Sequence, residues 1–376
     1  MSEDVITDAA QLTPGRLTAI LHRAGVLDQG QVRAIDSAEI PHRSLPRHLT
    51  IRYSNDASPS APRRLYLKLE NRPEIAGGLG QQEVAAYRAL AGHREKLPMV
   101  LRCYDAARDA ERRISHLLLE DFSSTHLLPS WPVPKQVDRE QIIDCTARFH
   151  AYWWEHRDLQ HFSARDPNIE FDCTDEQTYQ SYVRRYQDAF GYFADFMGDR
   201  MAPADRRLYG QVLACLPTLW ERYLVERFVA GTALTLIQGD SHWCQFACPN
   251  NAATDQTLMF DLECLHVGLP AFDLAYRLPL SWTPEQRWAM EDALIERYLA
   301  GLQKYGVRGY DRELFWLDYR ISTLILTLDP LWLFTAQHLD RADRTRWGGE
   351  LPGHWPAVYR HITSNFHNLH CEELLG

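Results

Sequence analysis

Two short runs hold the residues best suited to chemistry: Gln238-Gly239-Asp240-Ser241-His242-Trp243-Cys244-Gln245 and Met259-Phe260-Asp261-Leu262-Glu263. An apolar strand pattern, Leu234 to Ile237, leads into the first, and Leu258 to Phe260 leads into the second. Asp240 and Asp261 therefore fall just beyond strand ends, with the side-chain amide of Gln245 between them in sequence. Carboxylate and amide oxygens are hard donors of the kind Mg2+ takes together with phosphate and water. Phosphoryl transfer needs one carboxylate more, to orient the attacking hydroxyl and accept its proton. Taken singly, either Asp also reads as a turn or capping residue.

Other chemistries fit these residues less well. Cys244, Cys248, Cys264, His242 and His266 crowd the same island as a candidate zinc set. Their spacing, Cys-x3-Cys followed by Cys-x-His, lacks the Cys-x2-Cys knuckle of structural zinc, and buried cysteines often serve as small hydrophobes. Gly77-Gly78-Leu79-Gly80 does not complete a dinucleotide fingerprint, and no Gly-Lys-Ser/Thr phosphate loop or Gly-x-Ser-x-Gly elbow occurs. His150, at the end of an apolar helical stripe, reads as a packed or capping residue.

The elements that must position this island follow from periodicity. Thr13 and Pro14 read as the N-cap and first residue of a helix containing Leu17, Ile20 and Leu21. His48–Ser54 and Leu65–Leu69 alternate apolar and polar residues around a turn-rich Asn55–Pro62, which predicts a hairpin. Lys68 lies mid-way along the second of these strands. There a lysine is either a solvated edge residue or needs a partner. Gln81–Leu90 has helical composition, and Ser115–Glu120 reads as a short strand. From Asp138 the pattern is helical: Asp138–His156, Thr178–Met197, Pro203–Phe228, Pro284–Lys304 and Asp311–Thr327, interrupted by the island at 234–273. The expectation is an α+β chain of two unequal lobes, 1–120 and 121–376.

Composition narrows the class further. The 376 residues carry 40 Lys+Arg against 50 Asp+Glu, a net charge of −10, and the sequence pI is near 5.9. Such a chain lacks the basic face that duplex nucleic acid requires. Acidic residues near the N-terminus and the absence of a long uninterrupted apolar run argue against a secretory signal or a membrane span. Eight scattered cysteines in a chain this large do not read as a disulfide scaffold. A cytoplasmic protein with no nucleic-acid or membrane partner is expected.

The pattern Gly239-Asp240, Gln245 five residues on, Phe260-Asp261-Leu262-Glu263 and Gly268-Leu269-Pro270-Ala271-Phe272-Asp273-Leu274-Ala275 resembles the aminoglycoside-phosphotransferase and choline-kinase superfamily. Supporting segments, among them Leu117-Leu118-Leu119-Glu120-Asp121 and Arg148-Phe149-His150-Ala151-Tyr152-Trp153, are similar to the ecdysteroid-kinase-like branch and its bacterial relatives. The resemblance implies a two-lobed protein-kinase-like fold and an ATP- and Mg2+-dependent transfer to the hydroxyl of a small molecule. It also implies roles: Asp240 as catalytic base, Gln245 and Asp261 as magnesium ligands, and Lys68 paired with Glu83 on the nucleotide phosphates. Glu120, Asp121 and Phe122 would form the hinge beside the adenine.

Three departures bear on this. Gln238 stands where the superfamily usually has His, and Gln245 where Asn is commoner. The expected phosphate-covering segment, Ile40–Arg47, contains no glycine, leaving Ser44 or its arginine neighbours to meet the phosphates. The alternative they leave open is a pseudokinase, which binds a nucleotide or a partner without transfer.

Overall fold

The computed structural model describes residues 4–39, 47–70, 79–130, 133–162, 165–166, 171–172, 174–253, 255–334 and 355–375. In chain order its main elements are α1 (Pro14–Arg23), β1 (Val32–Glu39), β2 (Arg47–Tyr53), β3 (Arg64–Glu70), α2 (Leu79–Leu90), β4 (Cys103–Asp109), β5 (Ile114–Glu120) and β6 (His126–Leu127). There follow α3 (Gln136–Trp153), α4 (Glu176–Met197), α5 (Pro203–Leu219), α6 (Val225–Ala230), β7 (Thr235–Ile237), β8 (Phe246–Pro249), β9 (Leu258–Met259) and β10 (His266–Gly268). The chain closes with α7 (Phe272–Arg277), α8 (Pro284–Trp288), α9 (Glu291–Lys304), α10 (Arg312–Leu326) and α11 (Trp355–Asn368). The class is α+β, with the sheet in the N-terminal part and helices dominating the C-terminal part. None of the described helices is long and apolar enough to cross a membrane.

Two compact units divide the chain: Met1–Leu128 with Phe246–Glu263, and Pro129–Gln245 with Cys264–Gly376. This differs from a single cut near Asp121. The first unit runs on to Leu128 and takes back 246–263, because β8 pairs antiparallel with both β6 and β9. Backbone bonds from Met259 N–H to the Met99 carbonyl (2.8 Å) and from Leu101 N–H to the Met259 carbonyl (2.9 Å) fasten β9 further.

In the first unit five antiparallel strands run in the order β1-β2-β3-β5-β4. The predicted hairpin is β2–β3. Its apolar alternation buries Leu49, Ile51, Leu65, Leu67 and Leu69 against Leu17, Ile20 and Leu21 of α1, which Thr13 caps through the Arg16 amide (3.3 Å). Being central, β3 has both edges paired, so Lys68 is not on an edge strand; it sits in register with Leu117 of β5. The start of α2 is fixed by Glu70, whose carboxylate accepts the Gly80 amide and the Ser115 hydroxyl (3.0 Å). A Cβ at position 80 would lie 1.8 Å from that carboxylate, so only glycine permits this approach.

The second unit is helical around one two-stranded ladder, β7–β10, with Ile237 opposite His266 and Thr235 opposite Gly268. Thr235 also donates to the His150 carbonyl (2.8 Å), which ties the ladder to α3. Two expected helices are interrupted. Pro203–Phe228 becomes α5 and α6 joined by a π-turn at Trp220–Leu224, just after Pro217, whose missing N–H disturbs the ladder. Pro284–Lys304 becomes α8 and α9, parted at Met290, whose φ of −135° is not helical.

Candidate active site

The first unit gathers one set of polar groups. The Lys68 ammonium lies 2.7 Å from Glu83 Oε2 and 2.7 Å from Asp261 Oδ1. Glu83, on α2, is almost fully buried at 1% exposure, whereas Lys68 and Asp261 are about one-third open at 33% and 30%. Burial alone would drive Lys68 toward its neutral form. The carboxylates of Glu83, Asp261 and Glu263 outweigh it and hold the amine protonated far above its usual range. Burial raises Glu83, with the Asp261 charge adding to it and Lys68 opposing both. Carboxylate oxygens of Glu83, Asp261 and Glu263 come within 4.8 Å of one another. The Lys68 ammonium thus bridges the carboxylates of Glu83 and Asp261. Asp261 itself has φ +61°, the left-handed region that Asp tolerates better than most non-glycine residues.

The expected hinge ends the same sheet. The carboxylate of Asp121 is engaged by His48 Nδ1 (2.8 Å), Arg64 Nε (3.3 Å) and the Ser123 amide (2.9 Å), so its side chain ties β5 to β2 and β3. The Glu120 amide donates to the Arg102 carbonyl (2.8 Å), and the Phe122 carbonyl accepts the amides of Thr125 and His126 (both 2.9 Å). The Phe122 ring stands 5.2 Å from that of Phe260, next to Asp261. Ser44 lies outside the described residues.

The second unit gathers the other set. Leu236 and Ile237 are buried, and the chain then turns at Gly239, where φ is +82° and a Cβ would meet the Cys264 carbonyl at 2.5 Å. Asp240 follows. Its Oδ1 accepts the Tyr276 hydroxyl at 2.5 Å and lies 3.3 Å from His242 Nε2. Its Oδ2 accepts the Gln245 side-chain amide at 2.9 Å. That bond leaves Gln245 Oε1 buried without a hydrogen-bond partner, as several other buried side-chain atoms among the described residues are; a water or an ion commonly satisfies such an oxygen.

Helix α7 grips the loop residue by residue. The Asp273 carboxylate accepts the amides of Gln238 (3.0 Å) and Gly239 (3.1 Å). Tyr276 reaches Asp240, and Arg277 donates to the Ser241 carbonyl (3.1 Å) and the Ser241 hydroxyl. His150 stands behind Asp273, with Nε2 3.2 Å from the carboxylate and Nδ1 2.7 Å from the Tyr298 hydroxyl. The Gln238 side chain accepts the Ser241 hydroxyl at 3.0 Å.

A model of the ecdysteroid kinase-like family matches residues 83–306, more than half of the chain and inclusive of Glu83, Asp240, Gln245 and Asp261. The chain belongs to the ecdysteroid kinase-like family. No curated protein matches it significantly. Among solved structures it is similar to the choline kinase LicA from Streptococcus pneumoniae, at 12% identity and a TM-score of 0.46 over 90% of this chain and 94% of that one. It is also similar to the aminoglycoside phosphotransferase APH(3'')-Id from Streptomyces rimosus, solved with ADP and streptomycin, at 16% identity and a TM-score of 0.44 over 79% and 92%. A third, a microcompartment-associated aminopropanol kinase, shows 13% identity and a TM-score of 0.47 over 94% and 95%.

Within this ecdysteroid kinase-like chain, the pairing of Lys68 with Glu83 anticipated from sequence is present. Asp240 and Gln245 are hydrogen-bonded to each other. The zinc alternative finds no support: among the described residues, no three of His242, Cys244, Cys248, Cys264 and His266 bring ligand atoms within 4.8 Å of one another. Sequence reading does not single out Asp273 and Tyr276 as acting on the 238–241 loop. The run Asp273-Leu274-Ala275-Tyr276 carried the only signal, since residues three apart share a helix face. A cavity of about 680 Å³ in the second unit is lined by Arg287, Trp288, Glu291, Asp292, Arg312 and Trp316 among others, none of which belongs to either set.

Proposed function

We propose that this chain is an ATP- and Mg2+-dependent phosphotransferase acting on a hydroxyl group of a small molecule. The observation that carries the reading is the Lys68 ammonium shared, at 2.7 Å each, between buried Glu83 and Asp261. An ion pair between a lysine on the third strand and a glutamate on the following helix is the arrangement kinases require for transfer.

The donors are each of the hard-oxygen kind that magnesium takes. Gln245 presents a buried carbonyl oxygen with no hydrogen-bond partner, and Asp261 a carboxylate that is 30% open. Gln245 and Asp261 would hold the metal, which when bound neutralises charge on the phosphate oxygens. Lys68 binds the phosphates while Glu83 keeps its amine aimed. Backbone groups of Glu120, Asp121 and Phe122 not already engaged would meet the base, and Ser44 a phosphate. Asp240 accepts the acceptor's proton as the hydroxyl oxygen bonds to the γ-phosphorus, the bond to the β-phosphate oxygen breaks, and ADP leaves. Positioning and charge neutralisation account for most of such a rate. Gln238, in place of the more usual His, still hydrogen-bonds within the loop.

The test is a thermal-shift titration with ATP in the presence and absence of Mg2+, together with a screen of hydroxylated metabolites and antibiotics for ADP release. A metal-dependent shift, and acceptor-stimulated ADP release that Asp240→Asn cuts to a small residual rate, are the expected results. A metal-independent response with no ADP release would identify a pseudokinase instead.

A further inference from the structure

The carboxylate of Asp240 is not left to solvent to orient. Tyr276, itself 8% exposed, places its hydroxyl 2.5 Å from Oδ1. The ring is held in turn by His242, whose centroid lies 4.9 Å away edge-on, and by Phe272 at 6.5 Å on the same helix. A buried phenol needs a partner, and this one has taken the group on which proton transfer would depend. Of the three α7 side chains that grip residues 238–241, Asp273 and Arg277 hold backbone amides, a carbonyl and a serine hydroxyl; Tyr276 touches the carboxylate itself.

We infer that Tyr276 is a positioning residue for transfer: its hydroxyl fixes the rotation of the Asp240 carboxylate so that Oδ2 is presented to the acceptor. This rests on the phosphotransferase reading above and adds a determinant of its rate. With Oδ1 satisfied by Tyr276 and Oδ2 steadied by the Gln245 amide, the carboxylate has one orientation rather than a set of rotamers. Preorganisation of this kind acts on the chemical step and not on nucleotide affinity.

A double-mutant cycle tests it. Mg2+-dependent ATP turnover, with water or an identified acceptor, is measured in single-turnover mode for wild type, Tyr276→Phe, Asp240→Asn and the double variant. Tyr276→Phe removes only the hydroxyl and is expected to lower kcat roughly 10- to 100-fold, the scale of a misplaced catalytic group, with KM for ATP unchanged. In the Asp240→Asn background the same substitution should have no further effect, because residues that act as one unit are not additive. Tyr209→Phe is the control, since it removes another buried phenol whose hydroxyl has no partner; its kcat should match wild type.

An unchanged kcat in Tyr276→Phe, or a loss as large in the Asp240→Asn background as in wild type, would overturn the inference and leave the phosphotransferase reading standing. Wild type that shows neither ATP turnover nor a Mg2+-dependent ATP shift would remove both together. Should Tyr276→Phe melt early, 3-fluorotyrosine at position 276 keeps ring and hydroxyl while strengthening the donor. A kcat altered by that replacement supports the role, and one identical to wild type refutes it.

Discussion

At Lys68, stability and the proposed binding role meet in one side chain. Its removal leaves Glu83 at 1% exposure with its cation gone, and an orphaned buried charge costs more than the lost pair was worth. Because the lysine is one-third open, the expected loss for Lys68→Met is roughly 2–3 kcal/mol, below the range for a fully buried pair. Adding Glu83→Gln should restore most of it while nucleotide affinity stays low. Denaturant melts and ATP titrations of the two variants separate these effects; a double variant no more stable than the single one would contradict the buried-charge account. Asp240, Gln245 and Asp261 stand out in the sequence because they lie in two compact runs. Tyr276 and Asp273 were harder to see, since a hydroxyl 36 positions from its carboxylate in the chain is joined to it only by how α7 packs.

At the scale of elements, α7 and α3 hold the 238–241 loop through the buried His150–Asp273 contact, and this makes a signed prediction for pH. Burial lowers the His150 pKa below the ordinary 6.5, against the opposing pull of Asp273. Burial would raise Asp273, but the hydrogen bond and charge of His150, the Arg277 charge and the Gln238 amide keep it below 3.8. For both groups the unfolded chain takes up its proton at higher pH than the folded one. Stability is therefore full above about 6.5 and declines as the pH falls, first through His150 and then, below about 3.8, through Asp273. The thermal midpoint should drop between pH 7 and 5, and His150→Gln should drop less steeply over that interval. A variant with the wild-type slope would show that other histidines carry the dependence. The same scale explains which elements escaped sequence reading. β2, β3 and β5 have paired neighbours on both sides and read clearly, whereas β1 and β4 are the edges of the sheet. Edge strands tolerate charge, and β1 accordingly runs Val-Arg-Ala-Ile-Asp-Ser-Ala-Glu without a clean apolar face.

For the molecule as a whole, the sequence conveyed the class and the existence of two parts, but not that the chain enters the first unit twice. That depends on β8 choosing β6 as a partner, through contacts of Leu127 with Cys248 and His126 with Pro249 that no local pattern announces. A fragment ending at Leu128 therefore lacks β8, β9, the Phe260 ring that meets Phe122, and Asp261. We expect the isolated 1–128 fragment to melt broadly, and a version with 246–263 attached by a flexible linker to melt cooperatively. Circular dichroism and limited proteolysis of the two decide it; a sharp transition for 1–128 alone would show that the returning segment is dispensable.

The same return has a consequence during synthesis. When Leu128 emerges from the ribosome, the strands that complete the first unit have not been translated, and at about 5–20 residues per second they arrive roughly 7–27 seconds later. Until then Lys68 has Glu83 but not Asp261 within the chain already made, while residues 129–245 of the second unit are still emerging. The first unit is therefore complete only after residues 129–245 of the second have been made.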